Sequence, residues 1–168
     1  MAKVMKRIFE SCLSQNISRF GLVASVLVFS QLASGLCVKS ARANLRSSPS
    51  SSSSISWTVG QYTPLIRLEK KGAWYRVRDQ DGEEHWISSR IVTTSYQCVA
   101  VKGTMARLRT GPGTQYPLAF YGLADKYWPL KRIERQENWY KVEDDSGYQF
   151  WVHDSNVWRP LTVSEFNF

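Results

Sequence analysis

The sequence predicts an all-β protein: two small barrels or sandwiches in tandem, preceded by an apolar N-terminal segment. Three observations carry this. One stretch occurs twice, each copy reads as strand–turn–strand, and the leader differs in composition from the rest of the chain. Shifted by 65 positions, Pro129–Val157 falls on Pro64–Val92 without a gap. Pro64/Pro129, Leu65/Leu130, Arg67/Arg132, Glu69/Glu134, Trp74/Trp139, Tyr75/Tyr140, Val77/Val142, Asp79/Asp144, Gly82/Gly147 and Trp86/Trp151 are identical pairs. A repeat of this kind governs how every other segment is read.

Within the second copy, Trp139-Tyr140-Lys141-Val142 and Phe150-Trp151-Val152-His153 flank the polar tract Asp144-Asp145-Ser146-Gly147. Aromatic and β-branched residues favour strands, and the Gly supplies the positive φ of a tight turn. The period of two puts Tyr140, Val142, Phe150 and Val152 on one face. Trp139 and Trp151 stand on the other.

The upstream halves match at an offset of 63: Ala43-Asn44-Leu45-Arg46 falls on Ala106-Arg107-Leu108-Arg109, and Ile55 and Trp57 on Leu118 and Phe120. The second copy therefore holds two extra residues, near Gly122–Asp125. Short strands punctuated by Gly, Pro and Ser belong to small all-β units.

The run Leu108-Arg109-Thr110-Gly111-Pro112-Gly113-Thr114-Gln115-Tyr116-Pro117, then Asn138-Trp139-Tyr140-Lys141-Val142 and Gly147…Trp151-Val152, resembles the bacterial SH3 domain family. The resemblance spans Cys98–Val157 and, in degenerate form, about Cys37–Val92, where Ser48 replaces the Gly before Pro49. It implies two SH3-like β-barrels in a cell-envelope or secreted protein, binding cell-wall or peptide ligands without catalysis. It also assigns Tyr116 to the first loop of the domain.

In order, residues 1–35 read as a signal peptide. Lys3, Lys6, Arg7 and Arg19 precede an uncharged stretch from Phe20 to Val38, and Ala33-Ser34-Gly35 offers small residues for cleavage. A later site, Ala41-Arg42-Ala43, would trim the opening strand. The rival is an uncleaved anchor over residues 20–38, diluted by Ser25, Ser30, Gln31, Ser34 and Gly35. Barrel one covers 36–92, with a Ser-rich loop at 47–56 that reads as disordered. Residues 93–97 join it to barrel two at 98–158, and the five-residue join predicts barrels in contact. An apolar tail, 159–168, suits covering an edge or a seam.

The composition narrows function. His85 and His153 are the only histidines, and no metal-ligand spacing occurs, so neither a metal nor another cofactor is expected. Nor does a nucleophile with an orienting motif, and the two repeats leave no room for a catalytic domain. The expectation is a protein that is not an enzyme. The net charge of +8 falls to +5 once residues 1–35 are removed. A basic face with interleaved aromatics suits nucleic acid or anionic envelope polymers, and the leader excludes the first. Partners are then a cell-wall glycan or peptide, or an envelope protein, and a membrane only if the leader is retained. The alternatives are a structural or adaptor protein for a protein partner, or an accessory subunit of a cell-wall hydrolase. The location is periplasmic or secreted.

Candidate ligand-binding residues are Trp139, Trp151, Tyr116, Trp74 and Trp86, each weighed against a packing role. Such rings stack on sugars and pack on peptides. Cys37 and Cys98 either form a disulfide or remain two thiols.

Overall fold

The computed structural model describes residues 34–160. The expectations for the leader upstream of Ser34 and for the tail beyond Pro160 lie outside them. The first copy builds β1 (Ser34–Val38), β2 (Arg42–Arg46), β3 (Ile55–Gly60), β4 (Pro64–Lys71), β5 (Trp74–Arg78), β6 (Glu84–Ser88) and β7 (Val92–Thr93). The second builds β8 (Gln97–Val101), β9 (Met105–Arg109), β10 (Leu118–Asp125), β11 (Pro129–Gln136), β12 (Trp139–Glu143), β13 (Gln149–His153) and β14 (Val157–Trp158). A short 3-10 turn precedes β7 and another precedes β14, and the described residues contain no α-helix.

Each copy is one seven-stranded antiparallel sheet, in the orders β3-β2-β6-β5-β4-β1-β7 and β10-β9-β13-β12-β11-β8-β14. All strands of a copy feed one core, so each sheet must bend around it. Leu45, Leu65, Val77 and Ile87 are fully buried in the first, with Leu108, Leu130, Val142 and Val152 in the second. The expected barrels are not closed, however. No ladder joins β3 to β7 or β10 to β14, and β7 and β14 are only two residues long, too short to complete the circle.

The repeated Asp is a turn organiser. Asp79 Oδ1 accepts the N–H groups of Asp81 and Glu83, and Asp144 Oδ1 those of Ser146 and Tyr148. Gly82 and Gly147 follow at φ of 92° and 86°, a region that L side chains rarely enter. The Ser-rich loop differs from the expected disorder. Ser47 and Ser54 bond through their hydroxyls at 2.7 Å, and Ser53 Oγ donates to the carbonyls of Ser48 and Ser50. Serine hydroxyls replace the missing apolar contacts.

The copies meet along β1 and β8. Val99 and Val101 enter their own core, while Cys98 and Ala100, equally buried, face the first copy. Cys37 and Cys98 are joined by a disulfide, with Cα atoms 5.9 Å apart. Trp57 meets Tyr127 edge-on at 5.4 Å, and Lys126 Nζ lies 3.1 Å from Asp81 Oδ1. Pro160 packs on Gly35, where an added Cβ would come within 3.1 Å of it. The favoured cleavage point after Gly35 therefore falls inside β1, whose Ser34 and Gly35 pair with Arg67 and Ile66.

Candidate functional site

The outer face of the second sheet is built by alternation. β12 and β13 bury Tyr140, Val142, Phe150 and Val152, which leaves Trp139, Lys141, Trp151 and His153 half-buried on the other side. In register, Trp139 stands opposite His153, and Trp151 lies between Lys141 and Arg109. The rings of Trp139 and His153 meet edge to face at 5.1 Å and 90°. The two tryptophans thus share a face as diagonal neighbours.

A groove of about 530 Å³ runs beside Trp139, lined by Arg107, Arg109, Thr114, Trp139, His153 and Asn156 together with Met105, Ala106 and Leu123, and Trp151 does not line it. Thr114 is the one lining residue from the Gly111–Pro117 loop. Arg109 holds that loop, with Nη1 donating to the Thr114 carbonyl at 3.1 Å and the Tyr116 carbonyl at 2.6 Å. Tyr116 is 40% exposed and lies over Gly111, where an added Cβ would come within 2.3 Å of the ring. Only Gly fits there. Tyr116 is therefore placed by the loop, beside the groove and not lining it.

His153 is oriented by its neighbours. The Ser155 N–H donates to Nδ1 at 3.2 Å, so in the neutral ring the proton sits on Nε2. Arg107 is exposed and has no hydrogen-bond or ion-pair partner among the described residues.

The first copy keeps part of this arrangement. Trp74 and Trp86 are half-buried, and Trp86 lies in register between Arg46 and Arg76. Arg46 holds its loop through the Ser53 carbonyl, as Arg109 does through Tyr116. The free guanidinium is gone: Asn44 takes the place of Arg107, and its Oδ1 accepts from Thr58 at 3.0 Å. Ser88 takes the place of His153.

Two features escaped sequence reasoning. First, Ser56 Oγ lies 2.8 Å from His85 Nδ1, and His85 Nε2 lies 3.3 Å from Asp79 Oδ2. The atoms run in the order of a Ser–His–Asp relay. In the second copy Ala119 and Phe150 take the places of Ser56 and His85, and both pack on the core. The second copy thus keeps the Asp, as Asp144, and replaces the Ser and the His by apolar residues.

Second, the two extra residues of copy two fall in Ala119–Gly122, earlier than the offset placed them. Leu118 pairs with Arg109 and Leu123 with Arg107, whereas Ile55 and Thr58 pair with Arg46 and Asn44. The result is a bulge with Phe120 92% exposed, not the counterpart of half-buried Trp57 that the offset of 63 predicts. The Tyr121 ring packs against those of Phe120, Trp128, Tyr148 and Phe150. The change of offset was the available signal.

A family model described as a bacterial SH3 domain matches residues 39–93 and 102–159. No curated protein matches the chain. Among solved structures, NlpC2 from Trichomonas vaginalis is similar at 10% identity, covering 82% of this chain and 51% of that one, with a TM-score of 0.36. NlpC1 from the same organism is similar at 11% identity, covering 76% and 46%, with a TM-score of 0.35. An NlpC/P60 family protein from Bacillus cereus ATCC 10987 is similar at 14% identity, covering 74% and 56%, also with a TM-score of 0.35. The chain spans about half the length of these structures.

Proposed function

This chain belongs to the bacterial SH3 domain family, and from that premise we propose that it is a non-catalytic binding protein of the cell envelope. Its ligand is a cell-wall glycan or peptide, held on the outer face of the second copy. The observation that carries this reading is the groove beside Trp139, which pairs a half-exposed indole with outward donors. Aromatic planes with a few convergent polar groups are how proteins take sugars and short peptides. A location outside the cytoplasm is supported by the charged leader and by the Cys37–Cys98 bridge, since disulfides persist in oxidising compartments.

Absence of catalysis is part of the proposal. Ser56, His85 and Asp79 are the one set that invites the opposite reading. The apolar replacement of Ser56 and His85 in copy two, and the turn role that Asp79 shares with Asp144, support a structural reading. A fluorophosphonate probe should leave Ser56 unlabelled, and labelling lost in Ser56→Ala would reverse this part.

Co-sedimentation with purified sacculi tests the function. The protein should pellet with them, and Trp139→Ala should reduce the bound fraction while the thermal melt holds. No pelleting at all would favour a second reading, an adaptor for a protein partner. The Phe120–Tyr121–Tyr148 patch supports that alternative, because exposed aromatic clusters mark protein contacts.

A further inference from the structure

The groove beside Trp139 carries a chemical preference. Its nine lining residues include two arginines, a histidine, a threonine and an asparagine, and no aspartate or glutamate. Each polar group here can donate. Arg109 is committed to the carbonyls of Thr114 and Tyr116, so its charge is already partly used. Arg107 is uncommitted, and His153 has its Nδ1 occupied by the Ser155 N–H, leaving Nε2–H. Asp154 stands behind the lining, its Oδ1 3.5 Å from His153 Nδ1 and its Oδ2 3.7 Å from Arg135 Nη2, so it is already matched by a cation. A groove lined by no acid and by one free guanidinium fits a ligand bearing one negative charge.

The rest of the groove says what carries that charge. β9 is paired with β10 over Met105–Arg109, but with β13 only at Arg109, opposite Trp151, so an extended peptide is the ligand a saccharide must be tested against. Among the lining side chains, Trp139 is the flat apolar element and Thr114 and Asn156 are polar ones. That combination suits a sugar ring stacked on an indole. The single spare cation favours a carboxylate over a dianionic phosphate.

We propose that this groove binds a carboxylate-bearing saccharide, with Arg107 pairing the carboxylate and Trp139 carrying the ring. The proposal rests on the binding reading above and narrows it to a ligand class and an anchor. It also explains the difference between the copies. With Asn44 in place of Arg107 and Ser88 in place of His153, the first copy lacks the guanidinium and the imidazole and is not expected to share the preference.

The test titrates the full chain with N-acetylmuramic acid and N-acetylglucosamine, which differ in the lactyl carboxylate, and follows the indole N–H resonances. The acidic sugar should move the Trp139 resonance and bind at least roughly tenfold more tightly, the worth of a charge-assisted hydrogen bond. Arg107→Gln, at an exposed position, should keep the melt and erase the difference. Equal affinity for the two sugars would overturn the proposal, as would a preference that survives Arg107→Gln. So would a triglutamate peptide that binds there more tightly than the sugar, since it would reassign the groove to acidic peptides. Sacculus binding on the same variants separates the two layers. Pelleting that survives Arg107→Gln, together with equal affinity for the two sugars, leaves the envelope reading standing and removes the carboxylate anchor. Loss of pelleting in wild type, with the sugar preference intact, does the reverse.

Discussion

Asp144 Oδ1 takes two backbone N–H groups from a position only 3% exposed, so the second hairpin depends on one carboxylate. Truncating it leaves both donors without their acceptor. Asp144→Ala should cost about 2–3 kcal/mol, the range for hydrogen bonds to a charged group, and a urea melt would read it. A melt midpoint unchanged from wild type would mean that water or Asp145 substitutes. The recurrence of Asp79 and Asp144 was visible in the sequence, but a polar residue in a turn reads as solvated until the backbone donors closing on it are seen. The tryptophans were more legible, because strand alternation alone separates Trp139 and Trp151 from the valine face. What alternation cannot give is their neighbours across the sheet, since His153, Arg109 and Lys141 arrive by register. Trp151→Ala discriminates between two roles. As part of the binding face it should weaken sacculus pelleting and leave the melt near wild type. As a packing residue it should cost roughly 3–5 kcal/mol and unfold a unit this small.

At the scale of elements, β10 is the strand that differs between the copies. Its bulge lies at the end of the sheet, next to no further strand, so two extra residues are accommodated without breaking the β9–β13 ladder. Gly122 takes φ of 55° there. The sequence offset revealed the insertion and its size, because 63 before it becomes 65 after it. Its position differs from the expected Gly122–Asp125, since a gap can slide along a short apolar run, and Phe120 does not take the place of Trp57. The structure makes Phe120 dispensable to folding. Phe120→Ser should shift stability by no more than about 0.5 kcal/mol, as surface changes do, and should lower the binding of an apolar dye. A larger loss would mean that Phe120 covers Tyr121 in a way that matters to the core.

For the whole molecule, the question is what makes two marginal units of about 60 residues into one body. The described residues fall within a single compact unit, and β1 and β8 are buried on both faces where the copies meet. The sequence indicated contact through the five-residue join, but neither the face used nor the partners could be read, because they depend on how two bent sheets lie together. One part of the seam responds to pH. The Tyr127 hydroxyl first, then the Lys126 ammonium, holds the Asp81 carboxyl below its ordinary value of 3.8. A depressed carboxyl adds stability above that value and loses it as pH falls through the folded one. The acid side of the stability curve should therefore flatten slightly in Asp81→Asn, and only slightly, since both side chains are 39% exposed. The disulfide is the stronger tie. It spans 61 positions of sequence, and on chain entropy closing a loop of that length is worth about 4 kcal/mol. Cys37→Ser/Cys98→Ser should lower the denaturant midpoint accordingly, and the oxidised wild type should lose the same amount on reduction. The measurement is a pair of urea melts, with and without reductant, on both proteins. Reductant should move only the wild type. If the double variant matches oxidised wild type, the β1–β8 packing holds the copies together unaided, and the bridge is incidental to the seam.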